Sequence, residues 1–75
     1  IWRIDVKISA RNQLQGTIRS IDVGAVNTKV TIELAGGQQV ISVITKDSAA
    51  NLGLSVGKSA YAIIKASDVM VGVDS

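Results

Sequence analysis

Asn27-Thr28-Lys29-Val30-Thr31-Ile32-Glu33-Leu34-Ala35-Gly36-Gly37-Gln38-Gln39-Val40-Ile41-Ser42-Val43-Ile44-Thr45 is the stretch that decides the fold. Val30, Ile32 and Leu34 alternate with Thr31 and Glu33, the period of two that a strand buried on one side requires. Gly36-Gly37 then supplies the positive-φ positions of a tight hairpin, and Gln38 to Thr45 returns as the next strand. Working outward, Gly16 to Val23 carries β-branched residues, stops at Gly24 and reads as a strand leading into this hairpin. Before it, Trp2-Arg3-Ile4-Asp5-Val6-Lys7-Ile8 alternates apolar with charged side chains and reads as the first strand. Beyond the hairpin, Ser59 to Lys65 forms a fifth strand and Asp68 to Val73 a short final one.

One segment breaks the alternation. Thr45-Lys46-Asp47-Ser48-Ala49-Ala50-Asn51-Leu52 offers an N-cap in Thr45, an acid in the first turn and two alanines, and Gly53 follows as a natural C′ residue. A short helix is therefore predicted between the fourth and fifth strands, with Gly57-Lys58 as the turn out of it. The sum is an all-β chain: a small five- to six-stranded OB-type Greek-key barrel, closed or nearly so, with one short helix. An SH3-like barrel is the near alternative. No linker, repeat or low-complexity tract divides residues 1–75, which read as a single domain.

Composition narrows the function. The chain has 75 residues and no Cys, Pro or His. Without Cys there is no disulfide framework or thiolate metal site, and without His the commonest general base and transition-metal ligand is missing. Ser-His-Asp and Cys-His hydrolases are excluded within this chain, and no base, nucleophile dyad or metal-ligand cluster supports any enzyme. No apolar stretch approaches the roughly 18 residues of a membrane span, and no signal-peptide pattern opens the chain. It does not begin with Met, which fits a processed chain or an excised domain.

The net charge is +2, and Arg3, Lys7, Arg11, Arg19, Lys29, Lys46, Lys58 and Lys65 are scattered rather than clustered. A nucleic-acid or membrane partner usually leaves a denser footprint, and Trp2 and Tyr61 are poor equipment for stacking bases. An OB-fold nucleic-acid module is accordingly only a secondary reading. With 47% hydrophobic residues the chain carries more apolar material than so small a monomer can hide, which predicts a homo-oligomer.

Three polar clusters offer hydrogen-bond donors: Ser9-Ala10-Arg11-Asn12, Thr45 to Ser48, and Lys65-Ala66-Ser67. Arg11 and Lys65 supply full charge, Ser9, Thr45 and Ser48 directional donors, and a helix start favours anions. Brought together, they would form a pocket rich in donors and poor in acceptors, suited to a deprotonated tetrahedral oxyanion. Each cluster also has a plainer reading: a solvated loop, a simple N-cap at Thr45, and a surface lysine at a strand end. Asp47 would repel an anion, so it is expected to face solvent or pair with Lys46.

The sequence also carries a likeness. Lys7-Ile8-Ser9-Ala10-Arg11-Asn12-Gln13-Leu14-Gln15-Gly16 resembles the opening signature of the molybdate-binding Mop family, the molbindins. Gly24-Ala25-Val26-Asn27-Thr28, Ala35-Gly36-Gly37, Ile44-Thr45-Lys46-Asp47-Ser48, Leu52-Gly53-Leu54 and Ile63-Ile64-Lys65-Ala66-Ser67-Asp68-Val69-Met70 resemble its later blocks in order. The resemblance implies a five-stranded OB-type domain binding molybdate, and usually tungstate, in the cytoplasm, within hexamers built as trimers of dimers. It implies ligand contacts from Ser9, the Ala10 backbone and Arg11 of one subunit, completed by Thr45, Ser48 and Lys65 of a neighbour. A further site, using backbone around Ala25, Val26 and Asn27 near a symmetry axis, is also implied, and Ala66 and Ser67 adjoin Lys65. Related domains occur on molybdate-responsive regulators and importer ATPases, so a sensing module excised from a longer chain is the alternative to storage. Stand-alone members begin just before the Ser-Ala-Arg-Asn block, which makes residues 1–6 an N-terminal extension of the first strand.

Overall fold

The computed structural model describes residues 9–74. Four strands, one α-helix and one 3-10 turn follow in order: β1 (Asn12–Val23), β2 (Asn27–Leu34), β3 (Gln39–Thr45), α1 (Lys46–Leu52), β4 (Ser59–Ile64) and the turn Ala66–Asp68. They form one antiparallel sheet in the order β3-β2-β1-β4. Three consecutive strands with a fourth returning beside the first is Greek-key connectivity. The sheet curls into an OB-type half-barrel, with an apolar groove between its two edge strands lined by Val40, Ile41, Val43, Tyr61 and Ile63.

The core sits on the concave face. Ile18, Val30, Ile32 and Ala62 are buried there, with Ile21, Leu34, Val40, Ile44, Leu54 and Ala60 packed around them. On β2 the alternation read from the sequence holds for Val30 and Ile32, which face inward with Thr28, but Thr31 between them is buried as well and Leu34 only partly. On β1 it is interrupted. A bulge between Ile18 and Ser20 puts one extra residue, Arg19, opposite the Ile32–Thr31 step of β2. Because a one-residue slip exchanges the two faces of a strand, the bulge lets both Ile18 and Ile21 reach the core. Arg19 in turn reaches Glu33 on the outer face, and Lys29 lies 3.7 Å from Asp22.

The helix follows its sequence signals. Thr45 caps it, Gly53 ends it at φ 64°, and the Gly53 amide donates back to the Ala49 and Ala50 carbonyls. Lys58 Nζ donates to the Gly53 carbonyl at 3.0 Å, fixing the exit turn. Gly36 and Gly37 take the expected positive φ in the β2–β3 hairpin.

Two expectations change, and a third is not tested. The strand expected over Trp2 to Ile8, with its extension 1–6, lies outside the described residues. The next strand begins at Asn12 rather than Gly16, because its polar start pairs with β4 through Asn12↔Ile64, Gln13↔Ile63, Leu14↔Ala62 and Gln15↔Tyr61. The final strand over Asp68 to Val73 does not form: after the 3-10 turn the chain joins no ladder among the described residues, and Val69, Met70, Val71 and Val73 stand exposed. Four strands, not five or six, are thus present among the described residues.

Candidate functional site

The expected site residues fall at opposite ends of the sheet. At one end β1 begins and β4 stops, and Asn12↔Ile64 is their last pair. Arg11 and Lys65 leave the sheet one step beyond that pair, so the register sets them side by side. Both are exposed, and among the described residues neither forms an ion pair with a carboxylate. Two adjacent cations without a counter-charge repel each other and gain when an anion arrives between them. Ser9 and Ala10 precede Arg11, the first exposed and the second half-buried. Ala66 and Ser67 follow Lys65 and open the 3-10 turn, whose first amides have no partner within the turn.

At the other end, Asn27 pairs with Thr45, and the Lys46 amide donates to the Val26 carbonyl at 2.8 Å. This joins the Ala25–Val26–Asn27 turn to the start of α1. Thr45 Oγ1 accepts from the Ser48 amide at 3.0 Å and donates to Ser48 Oγ at 2.8 Å. The capping role of Thr45 is therefore real, and the Ser48 hydroxyl keeps its own proton for an outside acceptor. Asp47 is exposed and makes no ion pair with Lys46.

Within one chain, Lys65 thus stands with Arg11 and not with Thr45 and Ser48. β1 spans 12 residues between the two ends, and at about 3.3 Å per residue that is several times the width of a small oxyanion. No single copy brings all three donor clusters onto one ligand. Sequence reasoning grouped Lys65 with Arg11 by chemistry, but the resemblance assigned it to a neighbouring subunit; their proximity within one chain comes from a pairing between residues 52 positions apart. That reasoning also assigned no part to Asn12 and Gln13, whose side-chain amides donate to the Ile64 carbonyl at 3.3 Å and the Ala10 carbonyl at 3.1 Å.

The chain is similar to several known proteins. The profile of the TOBE domain matches residues 8–71. A probable molybdenum-pterin-binding protein of Haemophilus influenzae is 52% identical over 69 residues, covering 92% of this chain and 100% of that protein. MopII of Clostridium pasteurianum superposes with a TM-score of 0.84 at 40% identity, over 89% of this chain and 100% of that one. The cytoplasmic molybdate-binding protein ModG, solved with molybdate bound, superposes with a TM-score of 0.87 at 51% identity, over 92% of this chain and 49% of that one. Identity and fold agree across nearly the whole chain, so it belongs to the TOBE domain family and, within it, to the Mop-type proteins.

Proposed function

We propose that this protein binds molybdate, and tungstate with it, at sites completed by neighbouring copies, and serves as an intracellular store of the oxyanion. The observation that carries this reading is the Arg11–Lys65 couple at the end of the β1–β4 ladder, which has no carboxylate partner among the described residues. Molybdate at neutral pH is an unprotonated dianion whose oxygens only accept hydrogen bonds. Arg11, Lys65, Ser9, the Ala10 backbone, Ala66 and Ser67 offer donors from one copy; Thr45 and Ser48, with the turn at Ala25 to Asn27, offer them from the next. Charge-assisted bonds of about 2.7–2.9 Å would hold the ligand without direct coordination of the metal. Phosphate, which keeps a proton part of the time, would leave that proton unmatched at a cost of about 1–3 kcal/mol. Sulfate matches in charge and shape, so cavity size must reject it.

Self-association is supported by what one copy leaves in water. Met70, Val71 and Val73 are 93%, 89% and 87% exposed, and Ile41 and Val43 lie bare on an edge strand. A hexamer arranged as a trimer of dimers is the assembly we expect. Because the ligand would bind the assembled form, molybdate should stabilise it by mass action. Native mass spectrometry with and without molybdate tests both parts: a hexamer carrying several oxyanions is expected, whereas a ligand-free monomer at millimolar molybdate would end this reading.

A further inference from the structure

Four carbonyl oxygens around the Arg11–Lys65 end are occupied. The Ile64 carbonyl accepts from Asn12 Nδ2 at 3.3 Å, and the Ala10 carbonyl from Gln13 Nε2 at 3.1 Å. The Lys65 carbonyl accepts from the Asp68 amide at 2.9 Å, and the Ala66 carbonyl from the Val69 amide at 3.3 Å. The last two are made by the backbone of the 3-10 turn. The first two depend on side chains at adjacent positions, and each is local to the site: Asn12 is half-buried and Gln13 exposed.

A carbonyl oxygen facing an oxyanion repels it, so a site for an acceptor-only ligand needs its own acceptors turned away or filled. We infer that Asn12 and Gln13 are positioning residues of the oxyanion site, their amides filling the Ile64 and Ala10 carbonyls so that these two acceptors are withdrawn from the rim around Arg11 and Lys65. Two consequences follow from the geometry. Gln13 fixes the plane of the Ala10–Arg11 peptide, and because a trans peptide points its N–H opposite its C=O, the Arg11 amide is aimed away from Gln13. Asn12 spans the last rung of the ladder, where Arg11 and Lys65 diverge, and so holds the spacing between them. This rests on the oxyanion reading of the site.

The test is calorimetric titration of the wild type, Asn12→Ala, Gln13→Ala and the double variant with sodium molybdate. Thermal midpoints of the ligand-free proteins and amide spectra by NMR accompany it. Each single variant should bind about 3- to 10-fold more weakly, the span expected for one hydrogen bond. In Gln13→Ala the ligand-free midpoint should match the wild type while the Arg11 amide resonance moves. Unchanged molybdate affinity in both single variants overturns the positioning role while leaving the oxyanion reading intact. So does an affinity loss that only follows a lowered midpoint with the Arg11 resonance in place. A wild type that takes up no molybdate overturns the oxyanion reading and this inference together.

Discussion

Gly16 of β1 lies so close to Glu33 of β2 that a Cβ on it would stand 2.5 Å from the Glu33 carbonyl oxygen and 2.7 Å from Ile32 Cγ2. The contact sits where β1 passes from pairing with β4 alone to pairing with β2 as well, since Gly16 faces both Leu34 and Ala60. A side chain there would push apart two ladders that share one strand. Gly16→Ala should lower stability by about 1–3 kcal/mol, the usual cost of forcing extra volume into a packed site. Urea unfolding measures it; a midpoint unchanged from the wild type would show that the sheet opens freely at this point.

Thr28 is fully buried, and its hydroxyl has no hydrogen-bond partner among the described residues. A buried hydroxyl left unmatched carries its desolvation cost without return. Thr28→Val keeps the branched shape and removes that cost, so a gain of about 1 kcal/mol is expected. A loss of stability instead would mean that the hydroxyl finds a partner in the assembled protein.

Arg11→Ala and Lys65→Ala each remove one of the two neighbouring cations and should weaken molybdate binding by at least about 10-fold, as loss of a charged hydrogen bond implies. Because both side chains are exposed, the ligand-free thermal midpoint should hardly move. Titration calorimetry decides it. Wild-type affinity in Arg11→Ala would remove that residue from the site.

Thr45 and Ser48 can be told apart by which task each substitution spares. Thr45→Ala deletes the acceptor of the Ser48 amide and should cost about 1 kcal/mol of stability even without ligand. Ser48→Ala leaves that cap bond in place, so ligand-free stability should stay within about 0.5 kcal/mol while molybdate affinity falls. Thermal melts paired with titrations separate the two effects, and a Ser48→Ala protein with full affinity would confine this cluster to capping.

The exposed tail offers a handle on assembly. Replacing Met70 and Val71 by Asp puts charge on residues that are 93% and 89% exposed in one copy, so the monomer should tolerate it. If copies associate through this segment, sedimentation should show a smaller species. An unaltered sedimentation coefficient would locate the contact elsewhere.

Much of the fold was legible because side-chain alternation is a local property. Val30, Ile32 and Leu34 against Thr31 and Glu33 announced β2, and the two glycines announced its hairpin with β3. Thr45 and Gly53 bounded α1 because caps are read one residue at a time. The types of donor in the candidate site were legible as well, since charge and hydroxyl groups are written in the residues themselves.

What the sequence alone could not decide was pairing. Asn12, Gln13 and Gln15 carry no burial signal, and they are strand only because β4 lies beside them. Asp68 to Val73 looks like a strand, yet it pairs with neither edge of the sheet among the described residues. Arg19 gives no hint of the bulge that turns both Ile18 and Ile21 inward. Lys65 meets Arg11 for the same reason. Alternation fixes which face a side chain takes, but partner and register are set by backbone hydrogen bonds between distant residues, and those exist only in the folded sheet.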